Sequence, residues 1–223
     1  MHHSKPLKDK SFVMSQYILN LILQGENQQL DFKHSITDSK KIARTLAAFA
    51  NTDGGKLLVG VRDNGSIAGV QSEEEFYMVQ AAADLYCKPP ISFVSKVWDI
   101  KGKSVLEITV EKKESSKLYE APDKDGNYKV YIRVNDQNFI VNNIYLKAWN
   151  RKKFGKGVLI RYMKEEKLLL EFLTQNPSIS FNTFKRIAKL SSYKAEKILV
   201  NLIVLNLIEI EFSENKTEYK LVK

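Results

Sequence analysis

Lys56-Leu-Leu-Val-Gly-Val-Arg62 is an apolar run closed at both ends by glycine turns, Asp53-Gly54-Gly55 before it and Asp63-Asn64-Gly65 after it. A run this short, bounded by turn residues, suits a strand better than a helix. It does not alternate between apolar and polar positions, so both of its faces must be covered. That places it in the middle of a sheet with packed layers on either side.

The flanking segments supply those layers. Val13–Leu23 has helical spacing, with Tyr17, Ile18, Leu21 and Ile22 on one face, and Gly25 stops it. Gln29–His34 alternates as a strand, Leu30 and Phe32 on one face and Asp31 and Lys33 on the other. Asp38 or Ser39 caps a helix over Lys40–Ala50 that turns Ile42, Leu46, Ala47 and Phe49 inward. After the apolar run, Ser66–Val70 reads as the return strand of a hairpin, and Ser72 with Glu75 forms a capping box for a helix reaching Tyr86. Beyond the break at Lys88-Pro89-Pro90, Ile91–Trp98 and Ser104–Glu111 form a second hairpin around Asp99-Ile-Lys-Gly102. A charged loop, Lys112–Asn127, leads to a strand over Tyr128–Val134, extended by Phe139–Val141, and to a helix over Ile144–Lys153. The fold class is α+β, with a mixed, mostly antiparallel sheet and packed helices.

The remainder changes character. Helices over Glu165–Gln175, Asn182–Leu190 and Tyr193–Leu205 precede two alternating strands, Ile208–Phe212 and Thr217–Val222. Three short helices and a hairpin are the pattern of a small winged helix-turn-helix. The expected organisation is a loose arm over 1–12, an α+β domain over 13–153, a linker over 154–163 and a winged helix-turn-helix over 164–223.

The net charge of +9 favours an acidic partner, nucleic acid first. The excess is spread along the chain, +5 over residues 1–155 and +4 over 156–223. One cysteine, Cys87, excludes an internal disulfide and a cysteine-built zinc site, and suits a reducing cytoplasm. No run of about 18 apolar residues exists, so no membrane span is expected.

Between Ile140 and Lys164 stand seven basic residues and no acidic one; Lys147, Arg151, Lys152, Lys153 and Arg161 are candidate phosphate contacts, interleaved with Trp149, Phe154 and Tyr162. In the third C-terminal helix, Ala195, Ile198, Leu199 and Leu202 form the core stripe. Tyr193, Lys194, Lys197 and Asn201 then reach phosphates or base edges, while Val200 and Val204 face outward as a protein contact. Lys185 and Arg186 on the second helix, and Lys216 in the wing, support backbone binding.

Glu26, Asp31 and Asp63 form the other candidate site, with Lys33 on the same strand face as Asp31. If the three converge, they need a cation, and a hard divalent ion such as magnesium or manganese suits such oxygen ligands. The plainer reading makes Glu26 a surface residue, pairs Asp31 with Lys33 or Arg62, and leaves Asp63 as a turn former. Gly54, Gly55 and Gly65 supply positive φ angles in turns; the sharper alternative is a close approach to phosphate.

These residues also carry a resemblance. Glu26-x4-Asp31-Phe-Lys33, Ala47-Ala-Phe-Ala-Asn51-Thr52 with Gly54-Gly55, Gly60-Val-x-Asp63-x-Gly65 with Gly69, and Tyr131-x-Arg133 together resemble the Schlafen-type AlbA domain over roughly residues 15–153. The resemblance implies a bacterial transcriptional regulator in which this domain precedes a winged helix. Some members of the wider family are ribonucleases with three carboxylates, to which Glu26, Asp31 and Asp63 look equivalent. Here Asp31 stands where those enzymes usually carry glutamate. No Gly-x4-Gly-Lys-Ser/Thr loop supports an ATP site. Three functions therefore stand: a cytoplasmic, homodimeric DNA-binding regulator; a metal-dependent ribonuclease; and a protein-interaction module without nucleic acid.

Overall fold

In a computed structural model of the protein, residues 8–112, 117–155, 164–214 and 216–222 are described, with side chains from residue 16 onward. The chain divides into two compact units, Met1–Ile140 and Val141–Lys223.

The first unit runs α1 (Lys8–Gln24), β1 (Leu30–Lys33), α2 (Ser39–Asn51), β2 (Gly55–Val59), α3 (Glu74–Leu85), β3 (Val94–Ile100), β4 (Lys103–Val110), β5 (Glu120–Pro122), β6 (Tyr128–Val134) and β7 (Gln137–Ile140). Its main sheet has the order β1-β2-β4-β3. β2 lies inside, parallel to β1 and antiparallel to β4, as an unbroken apolar strand requires. Leu57 and Val59 point into a core shared with α2 and α3, and Leu58 points into a second core under α1 with Ile18, Leu30, Phe32 and Trp98. A smaller sheet, β5-β6-β7, packs against α2.

α2 shows how local sequence builds this core. Asp38 caps it, its carboxylate accepting from Lys40 N at 2.8 Å. Ile42, Leu46 and Phe49 are buried along its length, each contributing about 1.5–3 kcal/mol of burial free energy. Gly54, at φ +72°, turns the chain out of the helix, its amide donating to Phe49 O at 2.9 Å.

The second unit runs α4 (Asn143–Phe154), α5 (Lys164–Gln175), β8 (Ile179–Ser180), α6 (Phe181–Ile187), α7 (Ser192–Val204), β9 (Ile208–Ser213) and β10 (Lys216–Leu221), with the sheet order β8-β10-β9. Its own core gathers Leu169, Leu173, Phe184, Leu199, Leu202 and Tyr219. The overall class is mixed α+β, and among the described residues only β1 and β2 pair in parallel.

Several expectations are corrected. Ser66–Val70 forms no strand: only Val61 and Ile67 bridge, because Ala68 and Gly69 both donate to Gly60 O and fold the chain across the end of β2. α1 begins at Lys8, which shortens the expected arm. The short strands β5 and β8 lie in segments read as loop. The helix after Val141, assigned from sequence to the first domain, packs instead on α7 through Ile144 and Ala148. Arg161, Tyr162 and most of the expected linker lie outside the described residues. Among the described residues no helix is long and apolar enough to cross a membrane.

Candidate functional site

Two candidate sites follow from the sequence, one in each unit. In the first unit, alternation along β1 sends Leu30 and Phe32 to the α1 core and leaves Asp31 and Lys33 on the opposite face. Glu26 reaches back along this strand, its Oε1 accepting from Phe32 N at 2.8 Å. Burial raises the Glu26 carboxyl above the ordinary carboxylate range; the Phe32 amide pulls it down and the adjoining Asp31 carboxylate pushes it up.

Asp31 is held by two cations. Arg133 Nη2 donates to its Oδ1 at 3.1 Å, and Lys33 Nζ lies 2.8 Å from its Oδ2. The Arg133 and Asp31 side chains are 2% and 5% exposed, so the pair is out of water. The Lys33 contact is an ion pair without hydrogen-bond alignment, since the ammonium donates to Phe32 O at 2.7 Å. Arg133 also donates to Asn27 O, Leu30 O and Asn138 Oδ1. Its backbone amide donates to Thr52 Oγ1 at 3.0 Å. Asn51 bonds the backbone of Tyr119 and Tyr131, fixing β5 and β6 to the end of α2. The Asn51-Thr52 pair therefore positions the strand that delivers Arg133.

Asp63 stands apart. It is exposed in the turn that Arg62 N closes on Ser66 O. Among the described residues no group of three His, Cys, Asp or Glu side chains is placed to hold a metal ion. The expected three-carboxylate convergence is thus corrected to a pair, Glu26 with Asp31, whose countercharges are Arg133 and Lys33. Both Asp31 oxygens already face a cation, so the donor set does not fit magnesium or manganese. Lys33, expected to hold a phosphate, contacts Asp31 and Phe32 O on its own strand and stays partly exposed. Arg133 is the residue that reading the strands one at a time misses: it was visible as a charge in a β-branched run, but its partner lies 102 residues away.

The glycines divide. Gly54 and Gly65 have φ of +72° and +78°, as turn positions demand. A side chain at Gly54 would strike the backbone of Val110 and Lys112, so close packing of strands explains it without a phosphate. Gly55 has no positive φ; a Cβ there would lie 2.4 Å from the Phe49 ring, over which the Arg133 guanidinium sits 5.3 Å from the centroid.

In the second unit, Ser191 caps α7 by accepting from Lys194 N, and Ser180 caps α6. The first turns of α7 are open: Tyr193 is 73% exposed, and Lys194 and Lys197 are exposed. Arg186 and Lys189 are exposed at the end of α6, and Lys185 donates to Ser192 Oγ, tying the two helices together. Lys216 pairs with Glu218 at 2.8 Å, burying none of its charge but pulling the Glu218 carboxyl below the usual carboxylate range.

The middle of α7 departs from expectation. Val200 is 3% exposed, enclosed by the helix now assigned to this unit. Arg151 donates to Asn201 Oδ1, and Lys147 pairs with Glu196. Lys147, Arg151 and Asn201, read as nucleic-acid contacts, also join α4 to α7, with Lys147 and Arg151 still exposed, and Val200 is no surface for a partner protein. Lys152 and Lys153 stay exposed.

The family model described as "Schlafen, AlbA_2" matches residues 26–142. No functionally curated protein matches the chain. Among solved structures, the chain is similar to the DIP2311 protein from Corynebacterium diphtheriae, at 19% identity and a TM-score of 0.46, over 84% of this chain and 36% of that one. It is also similar to the N-terminal domain of a RecG-related protein from Nitrosomonas europaea, at 17% identity and a TM-score of 0.35, over 58% of this chain and 95% of that domain. The chain therefore spans about a third of the DIP2311 protein. The matched segment carries Glu26, Asp31, Asn51, Thr52 and Arg133, the residues that build the buried pair and its supports, and the chain belongs to the Schlafen, AlbA_2 family.

Proposed function

We propose that the protein is a cytoplasmic nucleic-acid-binding regulator whose second unit is a winged helix-turn-helix that grips duplex DNA. The observation that carries this reading is the charge of the α6–α7 segment. Lys185, Arg186, Lys189, Lys194 and Lys197 stand there with a single carboxylate, Glu196, which Lys147 neutralises from α4. None of the five cations is ion-paired among the described residues. Unpaired cations beside the exposed ring of Tyr193 release counterions when they meet phosphate, which favours binding most at low salt.

The other two readings have less to support them. The ribonuclease needs three carboxylates free to take a metal, and Asp31 is committed to Arg133 and Lys33. The protein-interaction module drew on an outward Val200 and Val204; Val200 is buried and Val204 half-buried.

Fluorescence anisotropy with labelled duplex DNA, repeated over a salt series, tests the proposal. Replacing Lys194 and Lys197 together by alanine is expected to weaken binding about tenfold or more and to lower the salt slope by about 2, close to one for each phosphate no longer neutralised. Parallel titrations with single-stranded RNA rank the two nucleic acids. An unchanged affinity and slope in the double variant removes α7 from the interface.

A further inference from the structure

The main sheet ends on β3, and among the described residues no strand pairs with its outer edge. β3 is seven residues long and pairs with β4 at seven consecutive positions without a bulge. Edge strands in monomers are usually blunted by shortness, proline, a bulge or a projecting charge. β3 has none of the first three; of its two charges, Lys96 Nζ lies 3.7 Å from the centroid of the Trp98 ring, and exposed Asp99 turns its Oδ1 to the Gly102 amide in the hairpin turn, from which it accepts at 3.1 Å.

The direction of the open groups follows from the hairpin. Lys101 and Gly102 both have positive φ, 55° and 78°, as a two-residue type I′ turn requires. The flanking pair Ile100–Lys103 is then hydrogen-bonded, so Trp98, Lys96 and Val94 direct their backbone groups to β4. Asp99, Val97 and Ser95 direct theirs to the open edge. Val97 is 65% exposed there, beside a cleft of about 600 Å³ lined by Val70, Phe76, Tyr77 and Leu106.

We propose that β3 pairs antiparallel with β3 of a second copy of the chain, centred on Val97, joining two four-stranded sheets into one of eight. The strand's own residues select this partner and register. A two-fold axis normal to the sheet sets each residue opposite one of the same facing. Centring on Lys96 or Asp99 would oppose like charges. Centring on Val97 pairs all seven residues, placing Val97 against Val97, Ser95 against Asp99, Lys96 against Trp98 and Val94 against Ile100. The chain carries +9, yet this strand holds one lysine and one aspartate, so self-association here meets no local charge repulsion.

Sedimentation equilibrium of the full chain up to about 100 µM is the test. The expected mass is twice 25.6 kDa. Val97→Pro removes an outward N–H that the parent sheet does not use, so it is expected to halve the mass while leaving the circular dichroism spectrum unchanged. A monomeric wild type, or a Val97→Pro protein that folds and stays dimeric, overturns the proposal. Should Val97→Pro unfold, cysteine crosslinking reads the register instead. With a short bismaleimide, Val97→Cys is expected to link to itself, and Ser95→Cys to link to Asp99→Cys more than to itself. The buried Cys87 of the unsubstituted protein sets the background. Failure of the Val97→Cys crosslink, or preferential self-linking at position 95, equally overturns it. None of these readouts depends on nucleic-acid binding.

Discussion

Arg133 spends its guanidinium on four acceptors, Asn27 O, Leu30 O, Asp31 Oδ1 and Asn138 Oδ1, and water reaches almost none of it. Removing one member of a buried ion pair strands the other, at a cost of about 3–5 kcal/mol. Arg133→Ala is therefore expected to lower unfolding stability by about that amount in urea denaturation. Arg133→Lys is expected to recover little of it, because a single ammonium cannot reproduce the fork. Glu26 poses the opposite case. Its folded-state carboxyl is raised, so the native protein binds a proton that the unfolded chain has already released, and ionisation opposes folding. Glu26→Gln keeps an acceptor for Phe32 N and removes that ionisation. The variant is expected to be more stable than wild type near neutrality. The gain shrinks as pH falls through the raised folded value and vanishes below the unfolded one, as paired urea midpoints across pH will show. Glu107 behaves with the other sign: burial pushes it up, but bonds from Lys56, Tyr17 and Trp98 win and hold it low. That contribution is present in both proteins and cancels in the difference.

At the scale of elements, the proposed contact of α7 with DNA depends on α4. Lys147 cancels Glu196, the lone carboxylate in the α6–α7 segment, without lying on either helix. Lys147→Ala is expected to weaken duplex binding several-fold by uncovering that charge. Adding Glu196→Gln is expected to restore it, which weakened helix packing alone would not allow; anisotropy on both variants and their thermal midpoints separates the two effects. This element also marks where sequence reading stops. The 3.6-residue period located α7 within a residue or two and identified Ala195, Ile198, Leu199 and Leu202 as core. It placed Val200 outside because the stripe was drawn for a helix with one buried face. A second helix packs on the flank, and nothing local to residues 192–204 records that.

For the molecule as a whole, order and class were legible because each depends on short-range pattern. The β1 alternation and the inner place of β2 survive in the structure as read, and Asp38 is the cap of the two residues offered; β2 itself stops at Val59 rather than Arg62, because Gly60 turns at φ +91°. The site was less legible, since convergence is a long-range property. Glu26 and Asp31 meet because they share a strand neighbourhood, whereas Asp63 leaves with a turn whose path is set by Gly60 accepting from both Ala68 and Gly69. The same long-range logic governs the turn before β2. Position 55 is policed from behind, by an aromatic face rather than by backbone torsion. A methyl group there would displace the Phe49 ring, and that ring supports the cation on which the buried aspartate depends. The smallest possible substitution in that turn would thus be felt first as an electrostatic fault across the sheet.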